Sequence, residues 1–317
     1  MNLARPLTFL FGAGVHLRNR WYDSGALKSR ELAGPVVSIG SISVGGAGKT
    51  PFTILLGQLL KQRGIAFDIL SRGYRRTTKG SAIVDPAGSP RDFGDEPLMM
   101  ARKLGVPVIV GEDRYEAGIL AENTHGVRLH LLDDGFQHRR LKRQFDIALV
   151  TRQDLSDCLL PAGRLREPLS ALGRADAVVL MDTNADALSA TIKNPWQIRR
   201  GLAVKEAPPK PIAFCGIARP QRFLEQLRND GIHPVATWNF HDHHAYTDAD
   251  VRWLLRLRDR REGGGFITTE KDAINLGSLA NQLQPLAIAK VEMTLDNADR
   301  CLDFLLETLK ARGKPAS

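Results

Sequence analysis

Ser43-Val44-Gly45-Gly46-Ala47-Gly48-Lys49-Thr50 lies between an apolar run at residues 36–43 and a helical pattern over residues 49–63. Strand, glycine-rich turn and helix in that order read as a phosphate loop. Glycines let the backbone turn its N–H groups toward phosphate oxygens without side-chain clashes, and the helix N-terminus adds partial positive charge. Gly45, Gly46, Ala47, Gly48, Lys49 and Thr50 are therefore expected to hold a nucleotide. Lys49 would reach its terminal phosphates and the Thr50 hydroxyl would ligate Mg2+. Ser43 stands where the usual pattern begins with glycine. The bland alternative is a glycine-rich turn that merely starts a helix, and the full order of strand, Gly-Lys-Thr and helix speaks against it.

Such a loop needs a carboxylate nearby. Residues 129–134, Leu-His-Leu-Leu-Asp-Asp, read as an apolar strand ending in two aspartates. A carboxylate at a strand's C-terminal end sits beside the loop and holds magnesium, directly or through water. Asp133 or Asp134 is expected in that role, although aspartates at strand ends also cap helices. Short apolar runs at 67–70, 106–110, 145–150 and 177–181 alternate with helical stretches at 96–104 and 114–122. The fold class expected is α/β, a phosphate-loop-type parallel sheet flanked by helices on both faces.

The alternation breaks over residues 182–210, a polar stretch ending Ala-Pro-Pro-Lys-Pro that reads as a connection between domains. It then resumes, with strands at 212–215, 235–238, 266–268 and 286–291 and helices at 220–229, 248–258 and 299–312. The expected organisation is an N-terminal segment (1–30), a nucleotide-binding domain (31–182) and a second, smaller α/β domain (183–317). Its final helix has the option of packing back on the first domain.

A formal charge of +9 on 317 residues points to an anionic partner, whether nucleotide, nucleic acid or acidic membrane. No aromatic-and-basic module of the RNA-binding sort is present, so no nucleic acid is expected, nor an obligate protein partner. Basic runs at 139–143 and 256–261 read as solvated faces, some of them turned toward anionic lipid. The three cysteines are far apart and form no CxxC pair, which favours a reducing compartment. Residues 7–15 are apolar, with Arg5 before them and His16, Arg18 and Arg20 after. They are too few for the roughly 20 that a membrane-spanning helix needs. A signal peptide fits the pattern less well than the cytoplasmic nucleotide chemistry that follows it. Two readings stay open: an amphipathic helix lying in a membrane interface, or one packed on the body of the protein.

Several further segments carry a resemblance. Pro51 after the loop, Ser71-Arg72-Gly73-Tyr74, Gly94-Asp95-Glu96-Pro97, Gly111-Glu112-Asp113-Arg114 and Asp133-Asp134-Gly135-Phe136-Gln137-His138 occur in this order. Leu160-Pro161-Ala162-Gly163-Arg164-Leu165-Arg166-Glu167-Pro168, Asp242-His243-His244 and Thr268-Thr269-Glu270-Lys271-Asp272 follow. The series resembles that of the tetraacyldisaccharide 4'-kinases, and the DDGFQH and PAGRLREP segments are its most specific parts. The resemblance implies transfer of the ATP γ-phosphate to the 4'-hydroxyl of a lipid A disaccharide precursor, tetraacyldisaccharide 1-phosphate. It implies a peripheral enzyme on the anionic cytoplasmic face of an inner membrane, with ATP and Mg2+ as cofactors.

It also implies roles. Asp95 is the expected base and His243 its orienting partner, with Lys49 on the phosphates; Glu167 is expected to help Thr50 and the aspartates hold the metal. Arg72, Tyr74, Arg114, Gln137, His138 and Arg166 are expected to contact substrate, arginine being suited to bidentate phosphate contacts. From the residues alone Asp95 reads better as a helix cap, and His241-Asp242-His243-His244 has a structural-metal alternative. The rival reading of the whole chain is a GTPase of the metallochaperone type. It lacks support from an Asn-Lys-x-Asp segment, which this chain does not contain.

Overall fold

Every residue of Val36–Ser41 (β1) is buried, as a strand covered on both faces must be. The structure, a computed structural model, describes residues 4–74, 76–181, 192 and 194–316. Before β1 runs a long helix, Ala4–Asp23 (α1). After it come Lys49–Gln62 (α2), Phe67–Ser71 (β2), Ala82–Ile83 (β3), Pro90–Phe93 (α3), Asp95–Leu104 (α4), Val108–Val110 (β4) and Arg114–His125 (α5). Leu129–Asp133 (β5), Phe145–Thr151 (β6), Ala177–Met181 (β7) and Pro195–Val204 (β8) follow. The last third holds Pro211–Cys215 (β9), Pro220–Asn229 (α6), Ala236–Asn239 (β10), Asp248–Arg260 (α7), Gly265–Thr269 (β11), Glu270–Leu276 (α8), Leu286–Leu295 (β12) and Ala298–Ala311 (α9).

Two compact units emerge: residues 1–88, 92–199 and 294–317 form the first, and residues 89–91 and 200–293 the second. In the first, strand order runs β8-β7-β6-β1-β5-β2-β4-β3, parallel throughout except for β3. The core strands β1, β2, β5 and β7 are buried along their whole length, which explains their near-continuous apolar runs. In the second unit the order is β10-β9-β11-β12, all parallel. Phe214, Tyr246, Val251, Leu254 and Phe266 form one of its cores.

The expected connection over 182–210 differs in its described part. Residues 182–191 and 193 lie outside the described residues, but Pro195–Val204 is a strand paired to β7 from Val178↔Pro195 to Met181↔Ile198. Main-chain pairing carries it, and its alternating, half-exposed side chains give no apolar run to read. α1 also exceeds the apolar segment that announced it. One side of it is tied to the first unit, where Asn19 Nδ2 donates to Glu167 (2.8 Å) and Arg139 donates to the Asn19 carbonyl (3.2 Å). Leu7, Leu10, Leu17 and Trp21 recur at helical spacing on the other side and are exposed.

A buried ion pair links neighbouring strands. His130 Nδ1 on β5 lies 2.7 Å from Asp68 Oδ1 on β2, directly opposite it in register, and Nε2 lies 3.2 Å from Glu122. Burial alone would lower the His130 pKa, but its bonds to Asp68 and Glu122 raise it. That stabilisation is complete below about pH 6.5 and fades as pH rises through the raised value. His130→Ala would strand the Asp68 carboxylate and is expected to cost about 3–5 kcal/mol by denaturant titration. A loss below about 1 kcal/mol, the size of an exposed pair, would show the pair to be idle.

Candidate active site

Beyond β1 the chain turns through Gly45 (φ 67°), Gly46 (φ 61°) and Gly48 (φ 80°), a left-handed path that side chains rarely adopt. Gly48 occupies the cap position of α2 and no side chain caps that end, so its first N–H groups point into the loop. The stretch before the loop is braced by the later PAGRLREP segment. Val44 N donates to the Arg164 carbonyl (2.9 Å), and Arg166 N donates to that of Ile42 (2.7 Å). Ala47 and Thr50 are buried within the turn.

β5 lies beside β1, with Ile39 opposite Asp133, so both aspartates arrive next to the loop. Asp134, in the left-handed region at φ 50°, faces Lys49 Nζ at 3.3 Å and both terminal nitrogens of Arg166 at 3.2 and 3.1 Å. Burial resists its ionisation, but Lys49 and Arg166 outweigh that and hold the carboxyl down to about 2. Asp133 is buried and accepts from Thr53 Oγ1 (3.2 Å) and Ser71 Oγ (3.4 Å). Burial, then the carboxylates of Glu96 and Asp134, push it up to about 7. Adjacent residues are thus split, Asp134 firmly ionised and Asp133 raised by burial first and by neighbouring negative charge second. Asp133 at the end of β5, Asp134 after it and Thr50 in the first turn of α2 supply the oxygen ligands that would suit a magnesium ion, which keeps waters and phosphate oxygens in its shell. No group of three or more His, Cys, Asp or Glu side chains placed to hold a metal ion is found among the described residues.

Glu167 is held by protein donors. Its Oε1 accepts from Arg174 Nη2 (2.7 Å) and Gln137 Nε2 (3.1 Å), and its Oε2 from Arg174 Nη1 (2.7 Å) and Asn19 Nδ2 (2.8 Å). A carboxylate has about four acceptor positions, and protein donors fill them. Burial would raise its pKa, yet these donors lower it. Here Glu167 anchors α1 and Gln137. Gln137 spans the site, donating to the Ser41 carbonyl (2.9 Å) and accepting from Arg166 (3.2 Å). Phe136 presses on β1 so closely that a Cβ on Gly40 would lie 2.5 Å from the Phe136 Cβ.

Arg114 is buried and donates to the carbonyls of Gly111 (3.1 Å) and Glu112 (2.8 Å). Burial and nearby Arg72 lower its pKa. Burial and the charge of Arg114 also push His138 down to about 4, so its imidazole is neutral at physiological pH. Arg72 and Tyr74 are exposed.

Asp95 is the first residue of α4 and is buried, its Oδ1 accepting from Glu96 N (2.9 Å). Gly94, at φ 91°, holds the cap position. His243 belongs to the second unit, whereas Asp95, Lys49 and the aspartates belong to the first. Within that unit His243 stands at φ 58°, with Nε2 at 3.1 Å from Lys271 Nζ and 3.8 Å from Asp242 Oδ2. Neighbouring His244 meets His241 (3.1 Å) and Asp250 (3.1 Å). Thr53, Ser71, Arg174 and Lys271 carry parts that the sequence reading did not assign. Of these, Thr53 had a signal, standing one helical turn after Thr50 on the face that meets Asp133.

The chain matches the family model described as Tetraacyldisaccharide-1-P 4'-kinase over residues 1–310. The tetraacyldisaccharide 4'-kinase of Koribacter versatilis (strain Ellin345) is 48% identical over 97% of this chain and 99% of that protein. The one from Aquifex aeolicus (strain VF5) is 38% identical over 87% of this chain and 90% of its own length. A crystal structure of LpxK from Aquifex aeolicus in complex with ATP resembles this fold with a TM-score of 0.79. The two are 35% identical, with 96% of this chain and 97% of that chain covered.

Proposed function

The chain belongs to the tetraacyldisaccharide 4'-kinase family, and from that premise we propose how its residues divide the work. It is an ATP-dependent kinase that transfers the γ-phosphate to the 4'-hydroxyl of tetraacyldisaccharide 1-phosphate, giving lipid IVA in lipid A biosynthesis. The metallochaperone-type GTPase reading finds no support among these relatives. The observation that carries the assignment to this site is the grouping of the glycine loop, Lys49 and the Asp133–Asp134 pair at the tips of β1 and β5.

Phosphoryl transfer is mainly positioning and charge stabilisation. The loop N–H groups and Lys49 hold the β- and γ-phosphates, Lys49 leaving Asp134 to Arg166 as it does so. A Mg2+ held by Thr50 with Asp133 or Asp134 would neutralise developing charge on the phosphate oxygens. A cation there would favour the ionised form of Asp133, which burial and then the carboxylates of Glu96 and Asp134 otherwise oppose. A sugar hydroxyl is a poor nucleophile until its proton has somewhere to go. Asp95 accepts that proton, and His243 takes the orienting role. Arg72, Tyr74, Arg114, Gln137, His138 and Arg166 line the approach of phosphate and sugar.

Mass spectrometry tests the reaction: tetraacyldisaccharide 1-phosphate in detergent, with purified protein, Mg2+ and ATP, and Lys49→Ala as control. One added phosphate on the distal sugar, absent in the control, is the expected result. ATP hydrolysis without lipid phosphorylation would overturn it.

The enzyme works at the anionic cytoplasmic surface of the inner membrane, with α1 as its docking helix. No described helix is long and apolar enough to cross a membrane, and the exposed row of Leu7, Leu10, Leu17 and Trp21 suits an interfacial position. Each such side chain contributes about 1.5–3 kcal/mol when buried. Leu10→Asp with Trp21→Asp is therefore expected to weaken binding to anionic vesicles about 100-fold. Unchanged co-sedimentation would remove α1 from that role.

A further inference from the structure

The Thr268–Asp272 segment enters none of the steps above, yet Lys271 touches the His243 side chain and Asp272 reaches its backbone through Gly216. Lys271 Nζ lies 2.9 Å from Asp242 Oδ1 and 3.1 Å from His243 Nε2, and its side chain is only 16% exposed. One residue on, Asp272 is buried at the start of α8, where Thr269 caps the helix. Asp272 Oδ1 accepts from Gly216 N (2.8 Å) and from the Tyr246 hydroxyl (2.8 Å). The Gly216 carbonyl in turn accepts from His243 N (3.2 Å), fixing that residue at φ 58°. A Cβ on Gly216 would lie 2.9 Å from the His241 carbonyl, so the loop sits tightly against it.

An ammonium group donates hydrogen bonds and accepts none. If Nε2 of His243 carried a proton, that proton would point at the Lys271 ammonium, while the nearer carboxylate oxygen on that side, Asp242 Oδ2, is 3.8 Å away. The 3.1 Å contact is a hydrogen bond when Nε2 offers its lone pair to Lys271 and the ring proton sits on Nδ1. We propose that Lys271 is a positioning residue for the kinase reaction: paired with Asp242, it donates to Nε2 and locks His243 as the Nδ1–H tautomer. His243 then meets a carboxylate as a hydrogen-bond donor through Nδ1, with its ring direction fixed before substrate arrives. Asp272, through Gly216, sets the backbone from which that ring projects. The inference rests on the proposed role of His243 for its effect on rate, but not for its prediction about the tautomer.

The test joins a spectrum to kinetics. In protein labelled with 15N-histidine, with His243→Ala to assign the signal, long-range 1H–15N correlation should show Nε2 as the unprotonated nitrogen and Nδ1 as the protonated one. Lys271→Met should move the proton onto Nε2 and lower kcat on the order of 10–100-fold, as loss of a tautomer-fixing partner does. The KM for ATP should be unchanged. Lys271→Arg, which restores a cationic donor, should recover both tautomer and rate in part, and keeps the test open if the methionine variant unfolds. In a His243→Ala background Lys271→Met should cost nothing further. A proton on Nε2 in the unaltered enzyme, or Lys271→Met turning over like it while His243→Ala is slow, overturns the inference. A fast His243→Ala would instead overturn the role given to His243, and would leave the tautomer assignment standing.

Discussion

Lys49→Ala is expected to lower 4'-phosphorylation by about 10³-fold while leaving stability within about 1 kcal/mol. The two effects separate because of what surrounds the side chain. Lys49 Nζ meets Asp134 at 3.3 Å, and Asp134 also holds two bonds to Arg166. Removing the lysine therefore strands no buried charge, and Asp134 stays ionised at neutral pH under Arg166 alone. Bound nucleotide enjoys no such redundancy. Its terminal phosphates lose the one flexible point charge at the loop, just where negative charge shifts during transfer. Lys49→Arg should not rescue, since a planar guanidinium is wider than an ammonium and does not fit among loop amides. Single-turnover rates, ATP-analogue binding and a denaturant titration would be read together. Turnover within tenfold of the unaltered enzyme would take the lysine out of the transition state.

What could be read in advance followed from how local each cause is. β1, the glycine turn and α2 are adjacent in sequence and obey backbone rules that need no distant partner, so their positions were legible. The strands β5, β6 and β7 were legible because burial on both faces demands continuous apolar runs. β8 was not: Trp196, Ile198 and Leu202 alternate with Gln197, Arg199, Arg200 and Gly201, and the pairing with β7 is made by main chain. Residues 294–317 belong with the first unit, where Phe304 of α9 packs edge-on against Phe145 (5.7 Å). A leucine repeat announces a buried helix without naming the surface that buries it. Glu167 illustrates the same limit within the site. Its motif neighbours give no hint of Arg174, or of Asn19 from an α1 nearly 150 residues away, which the fold brings to it. Lys271 sits in the Thr-Thr-Glu-Lys-Asp run, but its contact with His243 spans 28 residues and spacing does not reveal it.

The harder case is Asp95, because the same carboxylate has both a structural and a chemical reading. Its Oδ1 accepts from Glu96 N at 2.9 Å at the start of α4. Asp95→Asn keeps an oxygen for that bond and matches the side chain in size, so the helix start should survive with a loss of about 1 kcal/mol or less. What the amide cannot do is take a proton. If Asp95 serves the 4'-hydroxyl, kcat should fall by about 10²–10⁴-fold with ATP binding unchanged. A purely structural Asp95 predicts the opposite ranking, with Asp95→Asn mild in rate and Asp95→Ala damaging in stability. Coupling to His243 sharpens the choice. If the imidazole acts only through this carboxylate, Asp95→Asn with His243→Ala should be little slower than the worse single variant. Independent, multiplying losses would mean that the two residues serve separate steps. Asp95→Asn within about threefold of the unaltered enzyme would end the base assignment, and the acceptor of the hydroxyl proton would have to be sought at Asp133, which burial and its neighbours already hold near 7.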